Sequence, residues 1–132
     1  MYIYKTTVRL HHTDAAGILF FGRIYELINE AYESMMLSIG QDVRAIIFKT
    51  DFILPFVHTE ADYRSPLTVG DEIEIRIETE KLGTTSMSLV YHIMKTNGTE
   101  AVTARTVSVS VERKSFTKIP LPDPLRKGLE SL

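Results

Sequence analysis

Hydrophobic and polar residues alternate along five segments of the chain, and a period of two predicts half-buried β-strands. In the third segment Ile73, Ile75 and Ile77 fall on one side, while acidic and basic residues occupy the other. The first two segments alternate in the same way, and the last is rich in Val and Thr. The predicted strands cover residues 2–10, 56–64, 72–80, 85–95 and 100–112.

The apolar period changes to that of a helix between about Gly22 and Ile39. Apolar residues recur there every three or four positions, while the charged residues lie elsewhere around the helix. Gly40 is the expected end of the helix. This is the only long helix that the sequence predicts, and its apolar stripe has to be buried against another element. The stripe consists of Ile24, Leu27, Ile28, Ala31, Met35 and Ile39.

Turn-forming residues separate these elements. The small, polar and glycine-containing run from His12 to Gly17 predicts a turn between the first strand and the helix, and residues 65–71 predict a loop. The pair Asn97-Gly98 indicates a hairpin. Three prolines end the last strand and leave a short C-terminal helix; they are Pro120, Pro122 and Pro124.

This order of elements predicts an α+β fold in which an antiparallel sheet wraps around a single long helix. A length of 132 residues suits one domain, residues 1–132, better than two. The last strand leaves an open sheet edge, and pairing of two chains is a natural way to cover such an edge. We therefore expect a homodimer.

Composition excludes several classes of function. There is no cysteine, which excludes disulfides, thiolate metal sites and a cysteine nucleophile. A net charge of −2 gives no general attraction to nucleic acid or to anionic membranes. The chain contains no apolar run of about 18 residues and no signal-peptide pattern. We expect a soluble, cytoplasmic protein that binds neither nucleic acid nor membranes.

The histidines do not suggest a metal site. His11 and His12 are adjacent, which would place their rings on opposite sides of an extended chain, and His58 and His92 are isolated on predicted strands. This is not the i, i+4 spacing of a helical metal pair. Neither a glycine-rich phosphate loop nor a Gly-x-Ser-x-Gly nucleophile elbow occurs. The sequence predicts no metal and no cofactor.

Asp14 is the strongest candidate for catalysis. It lies in a turn among small residues, directly before the apolar run Ile18–Phe21 and close to the predicted start of the helix. The free N–H groups of a first helical turn can stabilise a developing oxyanion, and a carboxylate beside them can act on a bound carbonyl. The competing interpretation, which local sequence alone favours, is that Asp14 only caps the turn or the helix.

Basic residues follow the last predicted strand. Arg113, Lys114 and Lys118 could hold phosphate groups, and Arg64 and Lys81 lie near other strand ends. The alternative, which the pattern alone favours, is that these side chains are simply solvated.

The run from His12 to Phe21, HTDAAGILFF, resembles the active-site signature of the 4-hydroxybenzoyl-CoA thioesterase family. The family pattern has a Thr-Asp or Cys-Asp step and a glycine three positions after the aspartate, followed by apolar residues and the helix. A second landmark of the family, Tyr-x-x-Pro-x-x-x-Gly-Asp, is matched from Tyr63 to Asp71. The spacing and the element order are similar to the family over essentially the whole chain.

This resemblance implies a hot-dog fold, active sites at a dimer interface, and hydrolysis of an acyl-CoA thioester. Asp14 matches the family's catalytic aspartate, which acts as nucleophile or as general base. Phe21 matches the residue whose backbone N–H polarises the thioester carbonyl, although other subgroups have His or Tyr there. Gly17 matches the glycine that lets the chain turn tightly into the helix.

The motif is most similar to the subgroup of 1,4-dihydroxy-2-naphthoyl-CoA hydrolases of menaquinone and phylloquinone synthesis, which implies an aromatic acyl group. Candidate walls for that group are Phe20, Phe21, Phe52 and Phe56, with ordinary core packing as the alternative for each. His12 is a departure, because many relatives have an acidic residue at this position.

The family tends to place CoA contacts after the last strand, which implies that Arg113, Lys114 and Lys118 hold the CoA phosphates. The resemblance also implies a homodimer, with a dimer of dimers, a homotetramer, as the expected assembly. Rival functions are a thioesterase for short aliphatic or phenylacetyl-type acyl-CoA and a non-catalytic acyl-CoA-binding module.

Overall fold

The longest helix, α1, lies against the inner face of the fold and organises its core. The computed structural model covers all 132 residues and places α1 at Ile24–Ser38, close to the predicted bounds. Its apolar stripe is buried, with Ile24, Leu27 and Met35 at 0% exposure. Burying one such side chain stabilises the folded state by about 1.5–3 kcal/mol. The stripe therefore holds the helix against the sheet.

Seven strands form two antiparallel sheets. The strands are β1 (Tyr2–Thr7), β2 (Phe52–Ile53), β3 (Phe56–Tyr63), β4 (Glu72–Leu82), β5 (Ser86–Lys95), β6 (Glu100–Val109) and β7 (Val111–Glu112). The main sheet has the order β1-β4-β5-β6-β3, and the two short strands β2 and β7 pair separately. The predicted architecture, one antiparallel sheet around one long helix, is confirmed.

The inward faces of the central strands are those that the alternation predicted. Ile73, Ile75 and Ile77 on β4 are at most 3% exposed, and Leu89 and Ile93 on β5 are at most 1% exposed. The hairpin at Asn97-Gly98 is also confirmed, since Gly98 has a φ of +86° between β5 and β6. The alternation of apolar and polar residues predicted the buried face of these strands correctly, because α1 covers one face of the sheet and not the other.

The first strand is shorter than predicted. β1 ends at Thr7, and Leu10–His12 form a short 3-10 helix. The N–H of Arg9 donates to Nδ1 of His12 at 2.9 Å instead of to a neighbouring strand. As a result Leu10, which belongs to the predicted strand of residues 2–10, is 75% exposed.

Two elements between residues 41 and 55 were missed by the sequence analysis. A second helix, α2, spans Val43–Lys49, and it is followed by β2. The signal for α2 was present, because Asp42 caps it by accepting a hydrogen bond from the N–H of Arg44 at 2.9 Å. The last predicted strand, 100–112, is divided between β6 and β7 because the chain leaves the main sheet at Ser110, whose N–H donates to the carbonyl of Thr85 at 2.7 Å.

The predicted short C-terminal helix, α3, spans Asp123–Glu130, and its Gly128 lies against Ile39, the residue that follows α1. Leu125 and Leu129 are fully buried. A Cβ at Gly128 would lie 2.8 Å from Cβ of Ile39, so this close approach requires glycine. No helix of the chain has the length and apolar character needed to cross a membrane.

The open edge is not at the last predicted strand, since β6 is paired with β5 on one side and with β3 on the other; strand β3 lies at an open edge of the main sheet instead. Seven of its eight residues are exposed, the exception being Ala61. Among the exposed residues are Phe56, Val57 and Tyr63, at 43%, 59% and 46%. An exposed edge that carries large apolar side chains is a ready surface for strand pairing. The homodimer stays a prediction, and β3 is the surface on which it would form.

Arg113 has a structural position that the sequence analysis did not foresee. Its Nη2 donates to the carbonyl of Ile46 at 2.8 Å, and its Nε donates to the carbonyl of Thr50 at 3.3 Å. These carbonyls belong to the last turn of α2 and to the residue that follows it, where helix geometry leaves carbonyl groups without partners. A positive charge is also favourable at this end of a helix.

We predict that Arg113→Ala lowers the free energy of unfolding by about 2 kcal/mol, because charge-assisted hydrogen bonds to buried carbonyls are lost. Lys114→Ala is the control, since Lys114 is exposed and its side chain has no hydrogen bond or ion pair. Urea unfolding of both variants measures the difference. A stable Arg113→Ala variant with a raised KM for acyl-CoA would instead support the phosphate-binding role expected from the sequence.

Candidate active site

Residues 12–20 form a small hairpin that leads from β1 to α1. The N–H of Asp14 donates to the carbonyl of Ile18 at 2.9 Å, and the N–H of Phe20 donates to the carbonyl of His12 at 3.0 Å. Asp14 therefore lies where the hairpin turns, and Phe20 lies at its base, where the chain enters the first helical turn. Of the predicted catalytic residues, Asp14 and Gly17 lie in this hairpin, and Phe21 follows it directly.

Gly17 closes the tip of this hairpin. It has a φ of +78°, in the left-handed region that favours glycine, and its N–H donates to the carbonyl of Asp14 at 3.0 Å. No atom lies within 4 Å of the position of a Cβ. Backbone conformation, and not lack of space, is what requires glycine here. The turn is made at the hairpin tip, whereas the resemblance implied a turn directly into the helix.

The carboxylate of Asp14 is exposed in the single chain. Its Oδ1 accepts a hydrogen bond from the N–H of Ala16 at 2.8 Å, so Asp14 does cap the turn, as the competing interpretation held. The cap uses one oxygen, and Oδ2 has no hydrogen bond within the chain. Capping orients the carboxylate and leaves its second oxygen able to act on a ligand.

The backbone at the base of the hairpin presents two free donors, the N–H groups of Phe21 and Gly22. Residues Phe21–Arg23 form a 3-10 turn that runs into α1. The carbonyl of Phe20 accepts from the N–H of Arg23 at 2.9 Å, whereas the N–H of Phe21 has no acceptor in the chain. An unpaired N–H at the positive end of a helix is suited to bind a carbonyl oxygen that gains negative charge.

The two sequence landmarks pair directly with each other. The N–H of Leu19 donates to the carbonyl of Leu67 at 2.7 Å, and the N–H of Val69 donates to the carbonyl of Gly17 at 3.2 Å. The hydroxyl of Tyr63, the first residue of the second landmark, donates to the carbonyl of Phe21. The loop of residues 65–71 thus holds the hairpin in place through backbone hydrogen bonds.

Two cavities flank the base of the hairpin. One, of about 390 Å³, runs between α1 and the strands β3, β5 and β6. Its lining residues are Gly22, Tyr25, Glu26, Ile28, Asn29, Tyr32, Phe56, Thr59, Tyr91 and Thr106. The other, of about 340 Å³, lies between the hairpin and the second landmark and is lined in part by Phe21, Tyr63 and Arg64. Neither cavity includes Asp14, whose side chain faces outward.

The larger cavity is mostly apolar, with a few hydroxyl groups. The hydroxyl groups of Tyr91 and Thr106 share a hydrogen bond, with their oxygen atoms 3.2 Å apart. Burial raises the pKa of Tyr91 to about 12. Burial likewise raises the pKa of Tyr32. Both phenols are therefore neutral near pH 7, and the cavity suits an uncharged planar group.

The four candidate phenylalanines lie in different surroundings. Phe56 lines the larger cavity and packs edge-on against Tyr32, with ring centroids 5.4 Å apart. Phe21 lines the smaller cavity, and its ring lies 4.7 Å from that of Phe20, which is 44% exposed. Phe52 packs against the hydrophobic core and lines neither cavity. For Phe52 the core alternative applies.

The basic candidates are not brought together with Asp14. Lys114 and Lys118 are exposed on a hairpin that begins with β7, and Arg113 is bound to carbonyls beside α2. Arg64 lies nearer to the hairpin, since it lines the smaller cavity together with Leu19 and Phe21. Its Nε donates to Oγ1 of Thr103 at 3.2 Å. Arg64 also belongs to the second landmark of the sequence, from Tyr63 to Asp71.

The adjacent histidines do not lie on opposite sides of the chain. Because Leu10–His12 is helical, the rings of His11 and His12 are 4.1 Å apart between centroids, which corrects the expectation from an extended backbone. Ligand atoms of His11, His12 and Glu26 lie within 4.8 Å of one another. The sequence spacing gave no sign of this cluster, because Glu26 comes from α1.

Hydrogen bonding argues against a metal ion on His12. Its Nδ1 accepts the N–H of Arg9, so the proton of the neutral ring is on Nε2, which is buried and has no partner. A metal bound at Nε2 would require that proton to move to Nδ1. There the new N–H would point at the N–H of Arg9, and the hydrogen bond between Arg9 and His12 would be lost. Glu26, the third member, is paired with Arg23.

We predict that His12 makes folding stability fall at acidic pH. Burial, and then the charge of His11, lower the pKa of His12 against the opposing effects of Glu30 and Glu26. The unfolded chain therefore binds more protons than the folded chain below about pH 6.5, the ordinary His pKa. Neutral His12 contributes fully to the free energy of unfolding above that pH. This contribution is lost as the pH falls through the lowered pKa of His12 in the folded chain.

His12→Asn tests this dependence, because an Asn oxygen can still accept the N–H of Arg9 but does not titrate. Free energies of unfolding at pH 7 and pH 5 should differ less for the variant than for the wild type. Equal losses in both proteins would assign the acid sensitivity to other groups.

Relatives of this chain include enzymes that act on CoA thioesters. A 1,4-dihydroxy-2-naphthoyl-CoA hydrolase of Synechococcus elongatus is 31% identical over 130 residues, covering 98% of this chain and 95% of the relative. The crystal structure of a 1,4-dihydroxy-2-naphthoyl-CoA thioesterase from Synechocystis matches with a TM-score of 0.93 at 28% identity, covering 99% of this chain and 96% of that one. A gentisyl-coenzyme A thioesterase structure matches with a TM-score of 0.87 at 26% identity, covering 97% and 99%.

These matches confirm the hot-dog fold that the sequence motifs implied. The model of the thioesterase-like superfamily matches residues 8–129, which include the hairpin, α1 and every strand of the main sheet except β1. The chain belongs to the thioesterase-like superfamily.

Proposed function

We propose that this protein hydrolyses the thioester of an aromatic acyl-CoA, and that 1,4-dihydroxy-2-naphthoyl-CoA is its substrate. The observation that carries the proposal is the hairpin of residues 12–20 with the turn that follows it: the hairpin holds Asp14, a carboxylate with one free oxygen, and the turn begins with a free backbone donor, the N–H of Phe21. The similarity to named 1,4-dihydroxy-2-naphthoyl-CoA hydrolases supports this choice of acyl group.

In the proposed reaction the thioester oxygen accepts the N–H of Phe21 as negative charge develops on it. Asp14 either attacks the carbonyl carbon, giving an anhydride that water then hydrolyses, or removes a proton from the water that attacks. The carbon–sulfur bond breaks and CoA leaves as a thiolate. A cysteine-like thiol has a pKa of about 8.5, so this leaving group needs little protonation, and a carboxylate with an oxyanion donor is sufficient.

The larger cavity is the proposed acyl site. It begins at Gly22, next to the free N–H of Phe21, and it is lined by aromatic rings and hydroxyl groups together with the carboxylate of Glu26 and the amide of Asn29. Aromatic contacts with Phe56 and Tyr32 would favour a flat ring over a flexible aliphatic chain. Phe20 and Phe21 are exposed, and they would close over the substrate or against a second chain.

Assembly belongs to the same proposal. The exposed carboxylate of Asp14, the exposed rings beside it and the open edge of β3 are all explained if a second chain completes the site. We therefore propose a homodimer joined at β3, with a dimer of dimers as the larger assembly. Lys114 and Lys118 are the proposed contacts for the CoA phosphates, since Arg113 is bound to backbone carbonyls. A cytoplasmic location stays a prediction of the sequence.

Two other functions remain alternatives that experiments can distinguish. A thioesterase for short aliphatic or phenylacetyl-type acyl-CoA would use the same hairpin with a different acyl group. A non-catalytic acyl-CoA-binding module would release no free thiol. The similarity to named hydrolases favours an enzyme with an aromatic substrate over both.

We predict that Asp14→Asn lowers kcat by at least about 100-fold, because a group that acts as base or nucleophile contributes on the order of 10²–10⁴-fold. Free-thiol release from an aromatic acyl-CoA measures this loss. The control is Asp42→Asn, because Asp42 accepts the N–H of the residue two positions later, as Asp14 does, but at α2. If Asp14→Asn keeps more than about a tenth of the wild-type kcat, Asp14 is only a cap.

We also expect the enzyme to prefer bicyclic aromatic acyl groups. Two aromatic contacts of about 0.5–1.5 kcal/mol each should raise kcat/KM for a naphthoyl-type CoA about tenfold over a short aliphatic CoA. A benzoyl-type CoA should fall between them. A tenfold preference for the aliphatic series would remove the naphthoate assignment and leave the thioesterase assignment in place.

A further inference from the structure

The hydroxyl of Tyr63 forms a hydrogen bond that the proposed reaction does not yet use. Tyr63 is the last residue of β3, and its hydroxyl donates to the carbonyl of Phe21 across 42 positions of sequence. Burial, and then the nearby Tyr25, raise the pKa of Tyr63, so the hydroxyl stays protonated and remains a donor at neutral pH. The bond ties the end of an edge strand to the turn that begins α1.

This bond completes the restraint of a short backbone segment. The N–H of Phe20 is held by the carbonyl of His12, the carbonyl of Phe20 by the N–H of Arg23, and the carbonyl of Phe21 by Tyr63. Of the four backbone polar groups of Phe20 and Phe21, only the N–H of Phe21 is free. The arrangement leaves the N–H of Phe21 free between backbone groups that are restrained by hydrogen bonds.

Side-chain packing does little to hold the same segment. Phe20 is 44% exposed and Phe21 is 69% exposed in the chain. The 3-10 turn has no side-chain cap. The direction of the Phe21 N–H therefore depends on hydrogen bonds to the backbone on each side of it, and Tyr63 provides the only one that comes from a side chain.

We propose that Tyr63 is a positioning residue for the oxyanion donor, holding Phe21 so that its N–H points at the thioester oxygen. This inference rests on the proposed function. An oxyanion donor is effective only when it lies about 2.7–3.1 Å from the developing charge. A shift of about 1 Å can lower a rate on the order of 10²-fold, so loss of one restraining hydroxyl should affect turnover strongly.

The competing explanation is that Tyr63 only stabilises the contact between β3 and α1. Tyr2 provides the matched control, because its hydroxyl bonds Oγ of Ser34 and ties β1 to α1 at a place remote from the hairpin. Tyr63→Phe and Tyr2→Phe each remove one hydroxyl and no other atom. A purely structural role predicts the same behaviour for both variants.

Steady-state hydrolysis of the best aromatic acyl-CoA by both variants, with thermal unfolding to verify folding, separates these explanations. We expect Tyr63→Phe to lower kcat by about 10- to 100-fold with KM within about twofold of wild type, and Tyr2→Phe to keep wild-type kcat. A Tyr63→Phe kcat within twofold of wild type, or equal losses in the two variants, would overturn the inference.

A spectroscopic measurement tests the position of the donor directly. In an Asp14→Asn background, which slows turnover, the infrared stretch of a ¹³C-labelled thioester carbonyl should shift to lower frequency on binding. Adding Tyr63→Phe should reduce this shift, and adding Tyr2→Phe should not. An unchanged shift with Tyr63→Phe would contradict the positioning role, whereas a wild-type protein that releases no thiol from any acyl-CoA would contradict the proposed function itself.

Discussion

Burial of a single apolar helix by one face of one sheet is the constraint on which the rest of this structure depends. The stripe of α1, with Ile24, Leu27 and Met35 fully buried, occupies the inner face of the sheet, and the edge strand β3 stays exposed. The start of α1 lies beside that edge, where the hydroxyl of Tyr63 on β3 donates to the carbonyl of Phe21. The hairpin that carries Asp14 lies there because it is the chain's entry into the helix.

The candidate active site depends on the hydrogen bonds that hold the hairpin of residues 12–20 at the start of α1. A helix start offers unpaired N–H groups, and their direction is useful only if the backbone before them is held. Here the hairpin is held by the loop of residues 65–71, which pairs with Gly17 and Leu19, and by the hydroxyl of Tyr63. Two motifs separated by more than forty residues thus form one structure.

Much of this could be predicted from sequence because the relevant signals are local. The alternation of Ile73, Ile75 and Ile77 predicted an inner face, and the stripe of α1 predicted its burial. The missed features depend on contacts that are distant in sequence. The position of Arg113 requires carbonyl groups of α2, and the approach of Glu26 to the histidines requires the path of the chain through the hairpin. No period or motif encodes such contacts.

The central claim is that Asp14 and the N–H of Phe21 act on the same thioester carbonyl. A crystal structure of the Asp14→Asn variant with a bound aromatic acyl-CoA tests it most directly. The account predicts the thioester oxygen at about 2.7–3.1 Å from the backbone nitrogen of Phe21, with the carbonyl carbon beside the side chain at position 14. A thioester bound away from both groups would contradict it.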